Sequence, residues 1–150
     1  MYLTARYFPV LILLLIVAGC KSAPNKNTLL KCEPYTVKLV GTIKDEIFPG
    51  PPNYKDISKG DEPEEYWILR LKEPVDVAED PDYPVPEENS PQLNVRDIQL
   101  NLDVHLNSDY KAYQQFLNKE VEVTGDLTQG FTVHHKTAVL IEVRDIKLAE

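Results

Sequence analysis

Five stretches whose apolar residues recur at strand spacing, one segment of helical spacing between the third and fourth, and loop residues separating them predict a mainly β fold. The architecture they imply is a small five-stranded Greek-key barrel with one α-helix. The clearest stretch is residues 120–127, where Val121 and Val123 alternate with Glu120, Glu122 and Thr124 as in a half-buried strand. A helix-like segment runs into it from Ser108, a turn leaves it at Gly130, and another strand-like run follows over residues 138–143. Such a barrel hosts many activities, so the fold class alone assigns none.

In chain order, residues 36–43 form the first strand, with Val37, Leu39 and Ile43 sharing a face with Gly41. A glycine there marks a bulge or a barrel corner. Residues 47–65 read as a long loop. Pro49, Pro51, Pro52 and Pro63 exclude helix and central strand, Gly50 and Gly60 supply turns, and Phe48, Tyr54 and Ile57 give it apolar anchors that order it. Residues 66–71 are the second strand, with Trp67, Leu69 and Leu71 on one face. Residues 73–90 hold seven acidic residues, four prolines and no basic residue, the composition of an extended solvated loop. That loop is either a variable surface excursion or a surface for a basic partner.

The third strand spans residues 93–104, with Leu93 and Val95 in one phase and Ile98, Leu100, Leu102 and Val104 in the other. A bulge at Arg96 and Asp97 would produce that switch. Residues 143–148 repeat the pattern of residues 95–100, and the two are read as strands meeting a similar bend. Ser108 is a fitting N-cap and Asp109 suits the first turn of a helix. Tyr110, Tyr113, Phe116 and Leu117 make an apolar stripe of the kind that faces a core, and Asn118 suits a left-handed helix end. Three strands, a helix and two strands is the order of the OB barrel, which opens its first-to-second and fourth-to-fifth strand loops on one side. Here those loops are residues 47–65 and 128–136. Another small half-open β-barrel with one helix is the alternative.

Arg6 is the only charge in residues 1–19, and residues 8–17 are apolar apart from Pro9, short for a bilayer span and right for a signal-peptide core. The run ends in Val17-Ala18-Gly19-Cys20. This resembles the bacterial lipobox, which implies a signal peptide over residues 1–19 and lipid attachment at Cys20; an ordinary signal peptide with a chance cysteine is the alternative. Lys21 and Ser22 in place of Asp resemble lipoproteins sent to the outer membrane. Residues 20–34, rich in polar residues, then read as a tether and residues 35–150 as the OB-like domain. The expected location is the outer membrane, facing the periplasm, held by N-terminal lipid.

The chain has 24 acidic and 16 basic residues, a net charge of −8. That balance repels phosphate backbones and no basic stripe offsets it, so nucleic acid is not an expected ligand. With Cys20 carrying lipid, Cys32 would be the one remaining thiol, and the core must hold the fold without disulfides.

His134 and His135 suggest a metal site, with Asp61, Glu62, Glu64 and Glu65 nearby in the other loop. In an extended segment adjacent side chains diverge, however, and His105 sits near the helix at the other end, so no metal and no cofactor is expected. Ser22, Ser58, Ser90, Ser108 and Cys32 lie in tether, loops or a cap, away from any nucleophile setting, and an enzyme is not expected. Tyr54, Phe131, His134 and His135 are the expected binding residues, because they offer ring faces on the two loops that open together.

Two segments carry a further resemblance. Phe48-Pro49-Gly50-Pro51-Pro52-Asn53-Tyr54, Gly60-Asp61, Glu64 and Trp67-Ile68-Leu69, then Thr132-Val133-His134-His135-Lys136-Thr137, resemble an uncharacterised family of small exported bacterial proteins, a domain of unknown function. Val133 and Lys136 depart from the Gly and His of that family's second motif. The resemblance implies no activity. The expected function is a membrane-anchored periplasmic binding module for a protein or envelope ligand. The alternative is an immunity-type lipoprotein that neutralises an antibacterial toxin delivered to the periplasm.

Overall fold

The computed structural model describes residues 27–102 and 110–150 of the 150-residue chain. The expected signal peptide, Cys20, and His105, Ser108 and Asp109 lie outside the described residues. The strands are β1 (Thr28–Leu30), β2 (Thr36–Pro49), β3 (Pro63–Val77), β4 (Gln92–Asn101), β5 (Glu120–Gln129) and β6 (Val139–Leu148). Among the described residues there is one short α-helix, α1 (Tyr110–Tyr113), which continues as a 3-10 turn over Gln114–Phe116 and lies between β4 and β5.

β3, β2, β5, β6 and β4 are neighbours in that order, and β4 pairs back onto β3 to close a five-stranded barrel. Neighbours are antiparallel except β4 and β6, which run parallel. This is the expected OB-like barrel, with its helix in the expected place. Ile43, Leu69, Ile98, Val121, Val123 and Ile141 are completely buried at its centre. Tyr113, Phe116 and Leu117 pack against that core, as their spacing implied, and Asn118 takes φ 60° to end the segment. The Asn118 N–H donates to the Ile43 carbonyl at 2.8 Å, which ties the helix end to β2.

Both phase switches are present. In β4, Val95 and Ile98 are both buried with Arg96 exposed between them; the β3–β4 register shifts there, but the extra residues lie on β3, between Arg70 and Val75, and not at the bulge expected over Arg96 and Asp97. In β6, Val143 and Ile146 are both buried, and Arg144 is the extra residue where the register with β5 shifts. That bulge aims Arg144 at Asp126, which is 2% exposed: Arg144 Nε donates to Asp126 Oδ2 at 2.8 Å, and Thr36 Oγ1 donates to Oδ1 at 2.7 Å. A buried carboxylate is tolerated because it is paired in this way.

Three boundaries differ from the sequence reading. First, strand pairing continues to Pro49 opposite Pro63, so the expected loop over residues 47–65 shrinks to residues 50–62. A residue without an N–H is harmless at the last pair of a ladder. The Gly50 N–H closes the ladder just beyond it, on the Glu62 carbonyl at 2.7 Å.

Second, part of the expected tether belongs to the barrel. Residues 28–30 pair in parallel with residues 75–77 of β3, Cys32 is buried, and the Glu33 N–H donates to the Leu127 carbonyl at 2.9 Å. Two inward residues, Leu30 and Cys32, dock a segment whose other residues are mostly polar.

Third, the acidic segment does not run free in solvent. β3 continues through it to Val77, and Asp80 is 5% exposed. Its carboxylate accepts the Gln129 N–H at 3.0 Å, while the Gln129 amide donates to the Ala78 and Ser90 carbonyls at 3.1 and 2.9 Å. Backbone groups that would otherwise be orphaned beside β5 are satisfied by this loop.

Gly125 faces the point where β5 meets the β6 bulge, and a Cβ there would lie 2.3 Å from the Glu142 carbonyl oxygen. Backbone cannot yield as a flexible side chain can. Gly125→Ala is therefore expected to destabilise the barrel by about 1–3 kcal/mol in urea unfolding, with the slope unchanged.

Candidate functional site

The hairpin loop between β2 and β3 is built around a carboxylate. Asp61, 5% exposed, accepts the backbone N–H groups of Asn53, Lys55 and Asp56 at 2.8–2.9 Å, and the Asn53 side-chain amide at 3.0 Å. Those donors, the Asp56 and Lys55 amides foremost, pull its pKa down to about 2, so it is charged at any physiological pH. The clamp holds Tyr54 at φ 57°, a conformation that costs a bulky residue about 1–2 kcal/mol. The Tyr54 N–H donates to the Gly50 carbonyl at 2.9 Å.

The turn between β5 and β6, residues 130–138, comes to the same end of the barrel. Tyr54 meets His134 edge to face with ring centres 5.2 Å apart, and Lys136 Nζ lies 5.1 Å from the Tyr54 ring centre and 5.0 Å from that of Tyr66. Tyr66 in turn meets Phe48 at 5.9 Å. Gln99 of β4 holds the turn from below. Its Oε1 accepts the Lys136 N–H at 2.7 Å, its Nε2 donates to the His134 carbonyl at 3.2 Å, and its N–H donates to Thr137 Oγ1 at 2.9 Å.

His134 and His135 do not lie in an extended segment. The His135 N–H donates to the Thr132 carbonyl at 3.0 Å, making a turn, and the two rings meet different partners: His134 meets Tyr54, and His135 meets Phe131 at 5.0 Å. His135 Nδ1 accepts the Phe131 N–H at 2.8 Å and the Thr132 N–H at 3.4 Å. It works as a staple within the turn, whereas His134 and Phe131 are exposed. Among the described residues no group of three His, Cys, Asp or Glu side chains is gathered that could hold a metal ion.

A third segment joins the rim. Tyr83, in the loop that Asp80 pins to β5, meets Phe131 with ring centres 6.0 Å apart. The four expected binding residues are thus brought together, and Tyr83, Gln99 and Lys136 join them. Sequence spacing carried no sign of Tyr83 or Gln99, and Lys136 stood out only as a departure from the resembled motif. Gln99 is a polar residue in a strand, and only the pairing of β4 with two neighbours puts it under the turn. Trp67 is 4% exposed and belongs to the core, although its edge lines, with Gln99, Asn101, His134, His135 and Leu140, a cavity of about 220 Å³ beneath the rim. A larger cleft of about 540 Å³ is lined by Leu29, Tyr35, Pro81 and Pro91 among others, and by none of Tyr54, Phe131, His134 and His135. Residues 50–66, 78–91 and 130–138 together hold ten carboxylates and three lysines, so the field at this end is negative.

Residues 97–147 match the family model of a domain of unknown function, DUF4431. The match takes in Gln99, Phe131, His134 and His135 and leaves out the hairpin loop that carries Tyr54. No curated protein and no solved structure matches the chain.

Burial, with His134 beside it, holds His135 below its ordinary pKa of 6.5. The neutral ring is the one that accepts the two backbone N–H groups. Its stabilisation is fully present above pH 6.5 and is lost as the pH falls from there through the lower folded value. The melting temperature should therefore drop on going from pH 7 to about 5.5, above the range where carboxylates titrate. His135→Ala is expected to melt lower at pH 7 and to show a flatter dependence across that window.

Proposed function

We propose that the protein is a lipid-anchored periplasmic binding module, without catalytic activity, that recognises a protein or envelope ligand with the end of the barrel bearing Tyr54, Phe131 and His134. The observation that carries this reading is the 5.2 Å ring contact between Tyr54 and His134, which joins two loops far apart in the sequence into one surface. Exposed rings on a stiff frame suit binding, because little side-chain or loop entropy is lost when a partner arrives. The frame is stiff for stated reasons: the Asp61 clamp in one loop, the His135 staple in the other, and the Gln99 amide beneath. A backbone held in an unfavourable conformation at Tyr54 is also the kind of local cost that clusters at functional positions.

An immunity-type role against a delivered toxin would use the same surface. The negative field and the exposed Phe131 and Val133, 54% and 58% accessible, favour a protein over a polyanion under either reading.

Two outcomes test the proposal. Labelled palmitate is expected to enter the wild-type protein and not Cys20→Ala; an unlabelled, soluble wild-type mature form would remove the anchor. For the surface, the mature chain is immobilised, exposed to periplasmic extract, and the captured species compared across variants. Tyr54→Ala, at a half-buried residue, and His134→Ala, at an exposed one, are expected to lose at least 10-fold in capture, and the loss counts as recognition where the melting temperature stays within about 3 °C of wild type. Full capture by both variants would place recognition elsewhere.

A further inference from the structure

The segment over residues 78–91 enters the fold as an acidic excursion, yet it is fastened at both a polar and an aromatic point. The Asn89 side-chain amide bonds both backbone groups of Asp80: the Asp80 N–H donates to Asn89 Oδ1 at 3.0 Å and Asn89 Nδ2 donates to the Asp80 carbonyl at 2.7 Å. Asp80 also accepts the Gln129 N–H, so the loop has a fixed position on β5 one residue before the turn 130–138 begins. Tyr83 then meets Phe131 at 6.0 Å, and Phe131 meets His135 at 5.0 Å, making a continuous step of rings from the acidic loop into the turn. Phe131 and the neighbouring Val133 remain more than half exposed.

Resting on the recognition surface proposed above, we infer that this ring step docks a cationic segment of a partner protein, with residues 78–91 as its charged wall. Two properties select that chemistry. The exposed faces are aromatic and apolar, which suits the methylene stems and charged heads of Lys and Arg at once. The exposed charged residues of residues 78–91, Glu79, Asp82, Glu87 and Glu88, are all negative, and no basic residue lies between Lys72 and Arg96. The lysine at the turn, Lys136, is turned inward over Tyr54 and Tyr66 and donates to the Val133 carbonyl at 2.8 Å.

The probe is a fluorescein-labelled octalysine peptide, its binding to the mature chain followed by anisotropy at low salt and at 300 mM NaCl. Two triple variants separate a local surface from bulk charge: Asp82→Asn, Glu87→Gln, Glu88→Gln at the rim, and Glu73→Gln, Asp145→Asn, Glu150→Gln away from it. All six residues are exposed or half-buried, and both variants change net charge equally. Binding is expected to weaken at least 5-fold in the rim variant, by a similar factor in Phe131→Ala, and by less than 2-fold in the distal variant. Equal losses in the two triple variants, an unaffected Phe131→Ala, or no binding by wild type at 100 µM peptide would each overturn the inference. Loss of periplasmic capture on Tyr54→Ala together with full capture by the rim variant would leave the recognition surface standing and remove only the cationic partner.

Discussion

Closure of the barrel rests on one strand serving two partners that run in opposite directions. β4 is antiparallel to β3 through Asp97, Ile98 and Gln99, and parallel to β6 through Gln99, Leu100 and Asn101. Gln99 is the residue common to both ladders. Because it stands where β4 leaves one neighbour for the other, its amide reaches the turn above and satisfies backbone groups of His134 and Lys136 there. The constraint that shuts the barrel therefore also positions the rings at its mouth. A Greek-key barrel without this shared strand would keep its core residues and lose the relation between its two loops.

Much of this was legible from residue order. The alternation at Val121 and Val123, the phase switches at Val95–Ile98 and Val143–Ile146, and the aromatic stripe before Asn118 all report local geometry, which depends on neighbours in sequence. The meeting of Tyr54 with His134 was legible one step less directly, through the strand order. What stayed hidden depends on contacts between distant segments. Asp80 and Gln129 look like ordinary polar residues until the loop folds back across 49 positions to join them. Residues 28–34 read as a tether because polar side chains outnumber Leu30 and Cys32, yet two well-placed apolar groups and a parallel ladder suffice to dock them. Pro49 and Pro63 argued for a loop, and only their opposition at the end of a ladder makes them compatible with strands.

The buried acids divide the labour of holding irregular backbone. Asp126 takes the bulged Arg144 and the Thr36 hydroxyl, Asp61 gathers three backbone amides of the hairpin, and Asp80 secures the excursion to β5. Each sits where the regular ladder is interrupted, and each supplies acceptors that the sheet cannot. An exposed pair such as Lys72 with Glu120 lies on a regular strand face, where screening leaves it little weight.

Cys32 is 1% exposed, its thiol donates to the Ala78 carbonyl at 3.7 Å, and burial, reinforced by Asp80, pushes its pKa up to about 12. A thiol so protonated and enclosed is a poor nucleophile toward oxidants and alkylating reagents. Cys32 lines the cleft between residues 29–35 and residues 78–91, so reagent reaches the sulfur when the contact between these two segments opens. The sulfur is thus a built-in clock, whose rate of modification reads how often the seam between those two segments parts.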